Sequence, residues 1–288
     1  MKICRYDDNR LGVVRGDGVH DVTEALDELP ALRYPFPVAD QLIANLDRLR
    51  PAMEKLADAS PAQDPAGLKF LSPVANPSKV IGTPTNYLAH SMEAKADSEI
   101  SQYAASKNRS IEEQGLFLKA VSALVGPGEG VAVRFPDRRT DHEAELGVIM
   151  GKAGSDIPVD KALDHVAGYA LALDMVVRGS EDRSFRKSID SYAVLGPWMA
   201  TADEIADPDN LDFALSVSGE PRQSSSTSKM IMNVSRQIAW GSTFYTLLPG
   251  DIIMTGTCEG VGRVGPGDVI EMEFQDIGRM EVPVRAHE

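Results

Sequence analysis

The stretch Asp141-His-Glu-Ala-Glu-Leu-Gly-Val-Ile-Met150 decides how the rest of the sequence is interpreted. Its alternating acids and apolar second half predict a β-strand, on which successive side chains point to opposite faces. Asp141, Glu143 and Glu145 would then share one face, and His142 would lie on the other. Neighbouring carboxylates repel one another unless they are solvated, paired with bases, protonated or bound to a cation. The pattern alone therefore leaves open a solvated acidic edge or a metal site.

A further carboxylate favours the metal site. Asp174 lies within the apolar run 168–177, where an unpaired carboxylate is costly. An ion pair of Asp174 with Arg178 or a similar base is the alternative explanation. Together, Asp174, Glu143 and Glu145 would supply three oxygen ligands, which suit Mg²⁺, Mn²⁺ or Ca²⁺ rather than zinc. Because the histidine of the strand faces away from the glutamates, a histidine-ligated iron site is not expected.

The overall charge limits the partners of the chain. The 288 residues are 43% hydrophobic and 25% charged, enough for one large domain or a small and a medium one. With 43 acidic and 29 basic residues, the formal net charge is −14. Because this charge repels phosphate, neither nucleic acid nor a membrane is an expected partner. An anionic substrate would need a locally positive site.

The sequence also predicts a cytoplasmic location. The N-terminal residues show no apolar segment typical of a signal peptide, and the run 168–177 is too short to span a bilayer. Cys4 and Cys258 are far apart and do not form a disulfide framework, so two reduced thiols are expected.

The order of elements predicts an α+β, mostly β, chain with two domains, 1–70 and 71–288. Strands at 2–6 and 11–15, helices at 23–29 and 40–56, and a linker at 58–68 describe the first domain. The second is rich in short strands, and its serine-rich tract 224–228 is interpreted as a loop. Helical patterns there are limited to four places: 88–105, 159–166, 202–205 and 234–245.

Several segments, in this order, resemble the fumarylacetoacetate hydrolase superfamily. The resemblance spans roughly residues 79–284. Its motifs are Asn86-Tyr87-x-x-His90-x-x-Glu93, Phe117-Leu118-Lys119 with Gly126-Pro127-Gly128, Asp141-x-Glu143-x-Glu145, Leu173-Asp174 with Arg178, Lys187-Ser188 before Gly196-Pro197-Trp198, and Thr255-Gly256-Thr257 with Gly260-Val-Gly262.

The resemblance implies a mixed β-sandwich roll with a small N-terminal α+β domain, a central metal ion and a homodimer. It implies Mg²⁺ or Mn²⁺, with Ca²⁺ as a third option, on Glu143, Glu145 and Asp174. The implied catalytic residues are the water-activating pair His90 and Glu93, and Lys187, which would stabilise developing negative charge. The implied substrate-binding residues are Arg178, Glu181, Thr257, Lys119 and Tyr87.

The implied reaction is hydrolysis of a C–C bond in a 1,3-dicarbonyl oxo-acid of the acylpyruvate or fumarylpyruvate type, through a metal-stabilised enolate. The alternatives are an oxaloacetate decarboxylase, a 2-hydroxymuconate-type isomerase or hydratase, and a non-catalytic ligand-binding relative. A locally positive segment fits an anionic oxo-acid substrate, because four cations fall within ten residues of this acidic chain: Arg178, Arg183, Arg186 and Lys187.

Two features depart from the family pattern. Glu181 stands where many members have glutamine, and would change the polarity around the substrate. The polar segment 95–115 is longer than in many relatives and is predicted to be an enlarged lid over the site.

Overall fold

A computed structural model describes residues 1–97 and 109–287. The α-helices of these ranges are α1 (Gln41–Ala44), α2 (Leu46–Ala59), α3 (Leu88–Ala96), α4 (Ile111–Gln114), α5 (Arg183–Lys187) and α6 (Val234–Phe244), and the helices predicted at 23–29, 159–166 and 202–205 are 3-10 helices. The strands are β1 (Lys2–Tyr6), β2 (Arg10–Arg15), β3 (Gly18–Asp21), β4 (Ala62–Gln63), β5 (Phe70–Leu71), β6 (Val80–Gly82), β7 (Phe117–Lys119), β8 (Leu124–Val125), β9 (Val131–Val133), β10 (Thr140–His142), β11 (Ala144–Met150), β12 (Val166–Asp174), β13 (Val176–Val177), β14 (Ala193–Thr201), β15 (Asp212–Val217), β16 (Glu220–Ser226), β17 (Ile252–Met254), β18 (Gly262–Val264), β19 (Val269–Phe274) and β20 (Gly278–Ala286).

Three sheets organise the described residues. The largest has the order β4-β3-β2-β1-β14-β12-β11-β17-β6-β7, with β5 beside β1 and β8 beside β14. The second has the order β16-β15-β19-β20-β9, and the third the order β13-β10-β18. Most neighbours are antiparallel, whereas β6 and β17, β8 and β14, and β9 and β20 run parallel. The predicted α+β, strand-rich fold class is confirmed.

The centre of the largest sheet is covered on both faces. Leu146, Val148 and Leu171 belong to one hydrophobic core, which includes residues of the second sheet. Ile149 and Ala170 belong to another, which includes the buried face of α2. Because alternate side chains enter different cores, β11 and β12 are almost continuously apolar, as two-sided burial requires. A carboxylate within them is therefore held deep inside the protein.

The N-terminal residues share the largest sheet with the rest of the chain. Strand β1 pairs with β14, and β4 lies within the predicted linker and pairs with β3. The linker prediction was therefore wrong at residues 62–63, whereas the domain boundary at residue 70 stays a prediction. The predicted helix 40–56 is two helices, because Asn45 leaves the helical conformation between them.

Two other predicted elements differ from the structure. The strand predicted for 141–150 is divided at Glu143, between β10 and β11. The helix predicted at 88–105 is described as far as Ala96, and residues 98–108, in the predicted lid, lie outside the described residues. In the described ranges, no helix is long and apolar enough to cross a membrane.

Candidate active site and metal centre

Three carboxylates meet near the start of β11 and the end of β12. The backbone N–H of Asp174 donates to the carbonyl of Glu143 at 3.0 Å, so these two residues lie opposite each other. Glu145 follows two positions along the strand and therefore points the same way. All three side chains are buried, and one oxygen from each lies within 4.8 Å of the others. This group could hold a metal ion.

Cations surround two of the three carboxylates. The Lys187 ammonium donates to Glu143 and to Asp174, both at 2.5 Å, while Arg178 lies 3.3 Å from Glu143. Burial alone would raise the pKa of Glu143, but the charges of Lys187 and Arg178 outweigh burial and lower its pKa to about 2. Lys119 also contacts Asp174. Asp174 is thus paired with similar bases, two lysines, rather than with Arg178.

Glu145 is the carboxylate that lacks such compensation. Its hydrogen bond comes from the backbone N–H of Gly256 at 2.8 Å, and no lysine or arginine in the described ranges forms an ion pair with it. Burial and the nearby charge of Asp174 raise its pKa well above the ordinary value. Gly256 has φ +93°, and a Cβ there would lie 2.6 Å from Asn86, so glycine lets the N–H approach. A buried, oxygen-only and negatively charged donor set fits a hard divalent cation.

A histidine and a glutamate lie one helical turn apart on α3. His90 Nδ1 is 3.1 Å from Glu93 Oε2, and the other Glu93 oxygen accepts from the Gly260 N–H at 2.9 Å. Burial acts to raise the pKa of Glu93, but the hydrogen bonds from His90 and Gly260 dominate and lower it. An ionised Glu93 assigns the Nδ1 proton to His90, leaving Nε2 as the basic nitrogen.

The histidine of α3 and the two glutamates of the carboxylate group line one cleft of about 700 Å³. His90, Glu143 and Glu145 line it, and so do basic residues of the segment that follows β13. The predicted site residues on its wall are His90, Glu143, Glu145, Arg178, Glu181, Lys187 and Thr257.

Two predicted substrate-binding residues lie away from this wall. Tyr87 is 2% exposed and packs edge-to-face against Phe213, with ring centroids 6.2 Å apart. Lys119 is buried, and its ammonium donates to Asp174 and to the Tyr192 carbonyl. Because neither residue lines the cleft, we propose no substrate contact for them.

The acidic residues flanking the trio have structural partners. Asp141 binds Arg139 at 2.7 Å and Arg178 at 2.8 Å, so it does not belong to the three-carboxylate group. Glu181 lies at the mouth of the cleft, where the Arg138 guanidinium binds both its oxygens and lowers its pKa. Glu181 differs from the glutamine of the family pattern by a negative charge, and the ion pair with Arg138 neutralises much of that charge.

Gln223 is a buried residue of the site that the sequence analysis missed. Its carbonyl oxygen accepts from the Ala144 N–H at 3.0 Å and lies 3.2 Å from His142 Nδ1. Its amide donates to the Thr257 hydroxyl at 2.7 Å and to the Cys258 carbonyl. Gln223 thus ties the carboxylate strand to the loop that carries Thr257. No local pattern in the sequence of β16 marks this glutamine, and the loop predicted for 224–228 was wrong at 224–226, which belong to β16.

The family model for the fumarylacetoacetate hydrolase C-terminal domain matches residues 79–285. Maleylpyruvate hydrolase of Aquipseudomonas alcaligenes is 51% identical over 99% of this chain and 100% of its own length. A structure of maleylpyruvate hydrolase from Sphingobium sp. SYK-6, in complex with manganese (II) ion and pyruvate, is 38% identical with a TM-score of 0.84, covering 100% of both chains. Oxaloacetate tautomerase of Bos taurus is 34% identical over 91% of this chain and 82% of its own length.

The chain belongs to the fumarylacetoacetate hydrolase family. It is an enzyme of the acylpyruvate hydrolase type, which cleaves a C–C bond in an oxo-acid. The predicted family, fold class and reaction class are confirmed.

Proposed function

We propose that this enzyme hydrolyses maleylpyruvate, or a closely similar dicarboxylic acylpyruvate, to a dicarboxylic acid and pyruvate. The observation that carries the proposal is the position of His90, which lines the same cleft as Glu143 and Glu145 and whose Nε2 has no hydrogen-bond partner among the described residues. A base and a cation-binding group facing one cavity are what hydrolysis beside an oxo-acid requires. The 51% identity to a maleylpyruvate hydrolase over the full length supports the choice of a dicarboxylic acyl group in the proposed substrate.

Each residue of the cleft has a role in this reaction. A divalent cation held by Glu143, Glu145 and Asp174 supplies Lewis-acid polarisation of the oxo-acid when it is bound. His90 Nε2 takes a proton from water, whose oxygen attacks the acyl carbonyl, while Glu93 holds the ring and stabilises its charged form.

The C–C bond between the acyl carbonyl and the methylene then breaks. Its electron pair remains on the pyruvate fragment as an enolate, and the protonated His90 returns the proton to the methylene carbon. Burial opposes the charged form of Lys187, but Asp174 and Glu143 raise its pKa above the ordinary value. Lys187 is therefore a cation at neutral pH, and it donates to oxygen where negative charge develops.

An assay panel tests the proposed function. With Mn²⁺ present, we expect the purified enzyme to release pyruvate from maleylpyruvate, and more slowly from acetylpyruvate, with loss of activity in excess EDTA. Oxaloacetate and a 2-hydroxymuconate-type acid in the same panel measure the alternative reactions. Turnover of oxaloacetate without any hydrolysis of an acylpyruvate would show that the scaffold serves a decarboxylase or tautomerase here.

We further propose Mn²⁺ or Mg²⁺ on Glu143, Glu145 and Asp174. Replacing Glu145 by glutamine removes the ligand charge without changing its size, and should weaken Mn²⁺ binding by at least roughly 100-fold, measured by titration calorimetry. Glu181→Gln is the matched control, because it changes a carboxylate of the same cleft outside the trio. Equal affinity in Glu145→Gln and the unaltered protein would refute the ligand assignment.

We also propose that the protein is a cytoplasmic homodimer. Phe185 is 73% exposed beside a shallow cavity that is also lined by Phe135 and Ile189. Exposed aromatic patches of this kind are typical of surfaces that associate. Sedimentation of the purified protein as a monomer would exclude the dimer.

A further inference from the structure

The proposed substrate has two acidic ends. Its oxo-acid end belongs near Glu143 and Glu145, since a cation bound there would attract it. The carboxylate of the acyl group then extends along the cleft, and it loses solvent on binding. A buried carboxylate needs a cationic partner. The cleft must therefore offer a positive group in addition to the cation held by Glu143, Glu145 and Asp174. This inference rests on the proposed function and concerns which residue supplies that group.

Most cations of the cleft are already engaged. Lys187 and Arg178 bind the acidic residues of the site. Arg186 donates from Nε and from one terminal nitrogen to the backbone carbonyls of Glu181 and Val177. The charges of Lys187 and Arg178 are thus already paired with carboxylates, and the bonded donors of Arg186 hold the backbone in place.

Arg183 has a different environment. One of its terminal nitrogens donates to the Gln114 side-chain oxygen at 2.8 Å, and its guanidinium lies 5.5 Å from the centroid of the Phe117 ring. It forms no ion pair with any residue in the described ranges. Burial lowers its pKa from the ordinary value, whereas Glu143 and Asp174 act to raise it. Arg183 is thus a half-buried cation on the cleft wall that forms no direct ion pair with a carboxylate of the described ranges.

The orientation of Gln114 explains why this charge stays available. The Gln114 amide nitrogen donates to the Thr85 hydroxyl at 2.9 Å and to the Arg109 carbonyl at 3.0 Å. Only its oxygen remains for Arg183, which it fixes by a neutral hydrogen bond. A glutamate of nearly the same shape would fix the guanidinium equally well, but its carboxylate would form an ion pair with the guanidinium and neutralise its charge. Glutamine therefore positions the arginine and leaves it able to bind an anion.

We propose that Arg183, positioned by Gln114 and Phe117, binds the distal carboxylate of the substrate and selects acylpyruvates whose acyl group is acidic. The guanidinium presents several N–H donors in a plane, and those not used by Gln114 can bind a carboxylate. Arg183 is a specificity residue, since it contacts the end of the substrate remote from the bond that breaks.

The test compares kcat/KM for maleylpyruvate with kcat/KM for acetylpyruvate, which lacks the distal carboxylate. Arg183→Gln should reduce this ratio by roughly 10- to 100-fold, because charge-assisted hydrogen bonds have about that effect. The loss should appear mainly as a higher KM for maleylpyruvate, with kcat for acetylpyruvate preserved. The ratio is measured within each protein, so a partly inactive preparation does not distort it.

Gln114→Glu supplies the second variant. It keeps Arg183 in place while adding the charge that the substrate should provide, and we expect it to lower the ratio in the same direction. Gln275→Glu is its control, because it adds the same charge at an exposed turn. Arg186→Gln is the control for Arg183→Gln, since it removes a neighbouring guanidinium whose donors hold the backbone, and the ratio should not change.

The outcomes separate the two claims. Equal losses on both substrates in Arg183→Gln, or an unchanged ratio in Gln114→Glu, would overturn the role of Arg183 while the hydrolase function stood. An unaltered enzyme that hydrolyses neither substrate would overturn the proposed function, and this inference with it.

Discussion

Replacing His90 by alanine is expected to lower kcat for acylpyruvate hydrolysis by roughly 100- to 10,000-fold, the usual contribution of a positioned general base. The ring is 6% exposed and held by Glu93 at 3.1 Å, so Nε2 faces the cleft in one orientation. Alanine removes the group that takes the proton from water. The measurement is steady-state release of pyruvate from maleylpyruvate at saturating Mn²⁺.

The same variant distinguishes hydrolysis from enolate chemistry that needs no water. Any turnover of oxaloacetate shown by the unaltered enzyme should largely persist in His90→Ala, and Mn²⁺ affinity should not change. His165→Ala is the matched control, because that half-buried histidine is bonded to the Lys152 carbonyl and does not line the cleft. Hydrolysis within threefold of the unaltered rate in His90→Ala would rule out His90 as the base.

Replacing Asp251 by alanine is expected to lower the free energy of unfolding by about 3–5 kcal/mol, the usual cost of breaking a buried ion pair. Asp251 is fully buried and binds the Lys79 ammonium at 2.5 Å. Its carboxylate also accepts from the backbone N–H groups of Ser78, Lys79 and Leu248, at 3.1, 3.0 and 2.7 Å. The variant leaves these donors and the ammonium without their acceptor, at the start of the parallel pair β6 and β17.

Chemical denaturation of Asp251→Ala and the unaltered protein measures this loss. Asp164→Ala is the control, because Asp164 is exposed and its ion pair with Lys161 spans 4.0 Å, so its removal should change stability by less than about 1 kcal/mol. A change of similar size in both variants would contradict the structural role given to Asp251.

Local pattern was sufficient where a segment's own residues decide its environment. The apolar runs of β11 and β12 and the helical spacing of apolar residues in α6 predicted those elements, because the spacing of apolar residues determines which side chains are buried. The resemblance implied that His90 and Glu93 act as a pair, and the two side chains do meet, one helical turn apart. Ordered motifs supplied the family, which the comparisons confirm.

Partners distant in the sequence could not be predicted in this way. Arg178 was named as one possible base for Asp174, yet the lysines that pair with it, Lys119 and Lys187, reach it from β7 and α5. Nothing local marked Gln223, which lies 79 residues from the Ala144 N–H that it binds. Such contacts depend on which strands become neighbours in the sheets.

The three carboxylates show which properties of the site follow from local sequence and which depend on the tertiary structure. The sequence by itself determined that Glu143 and Glu145 lie on a strand and that Asp174 sits in an apolar one, because residue type and period are local properties. Only the tertiary structure decided that Asp174 lies opposite Glu143, that two lysines compensate one side of the group, and that Glu145 has no lysine or arginine ion-pair partner among the described residues. The physical reason is that electrostatic compensation in a buried site depends on distances between elements, and packing of the whole chain sets those distances.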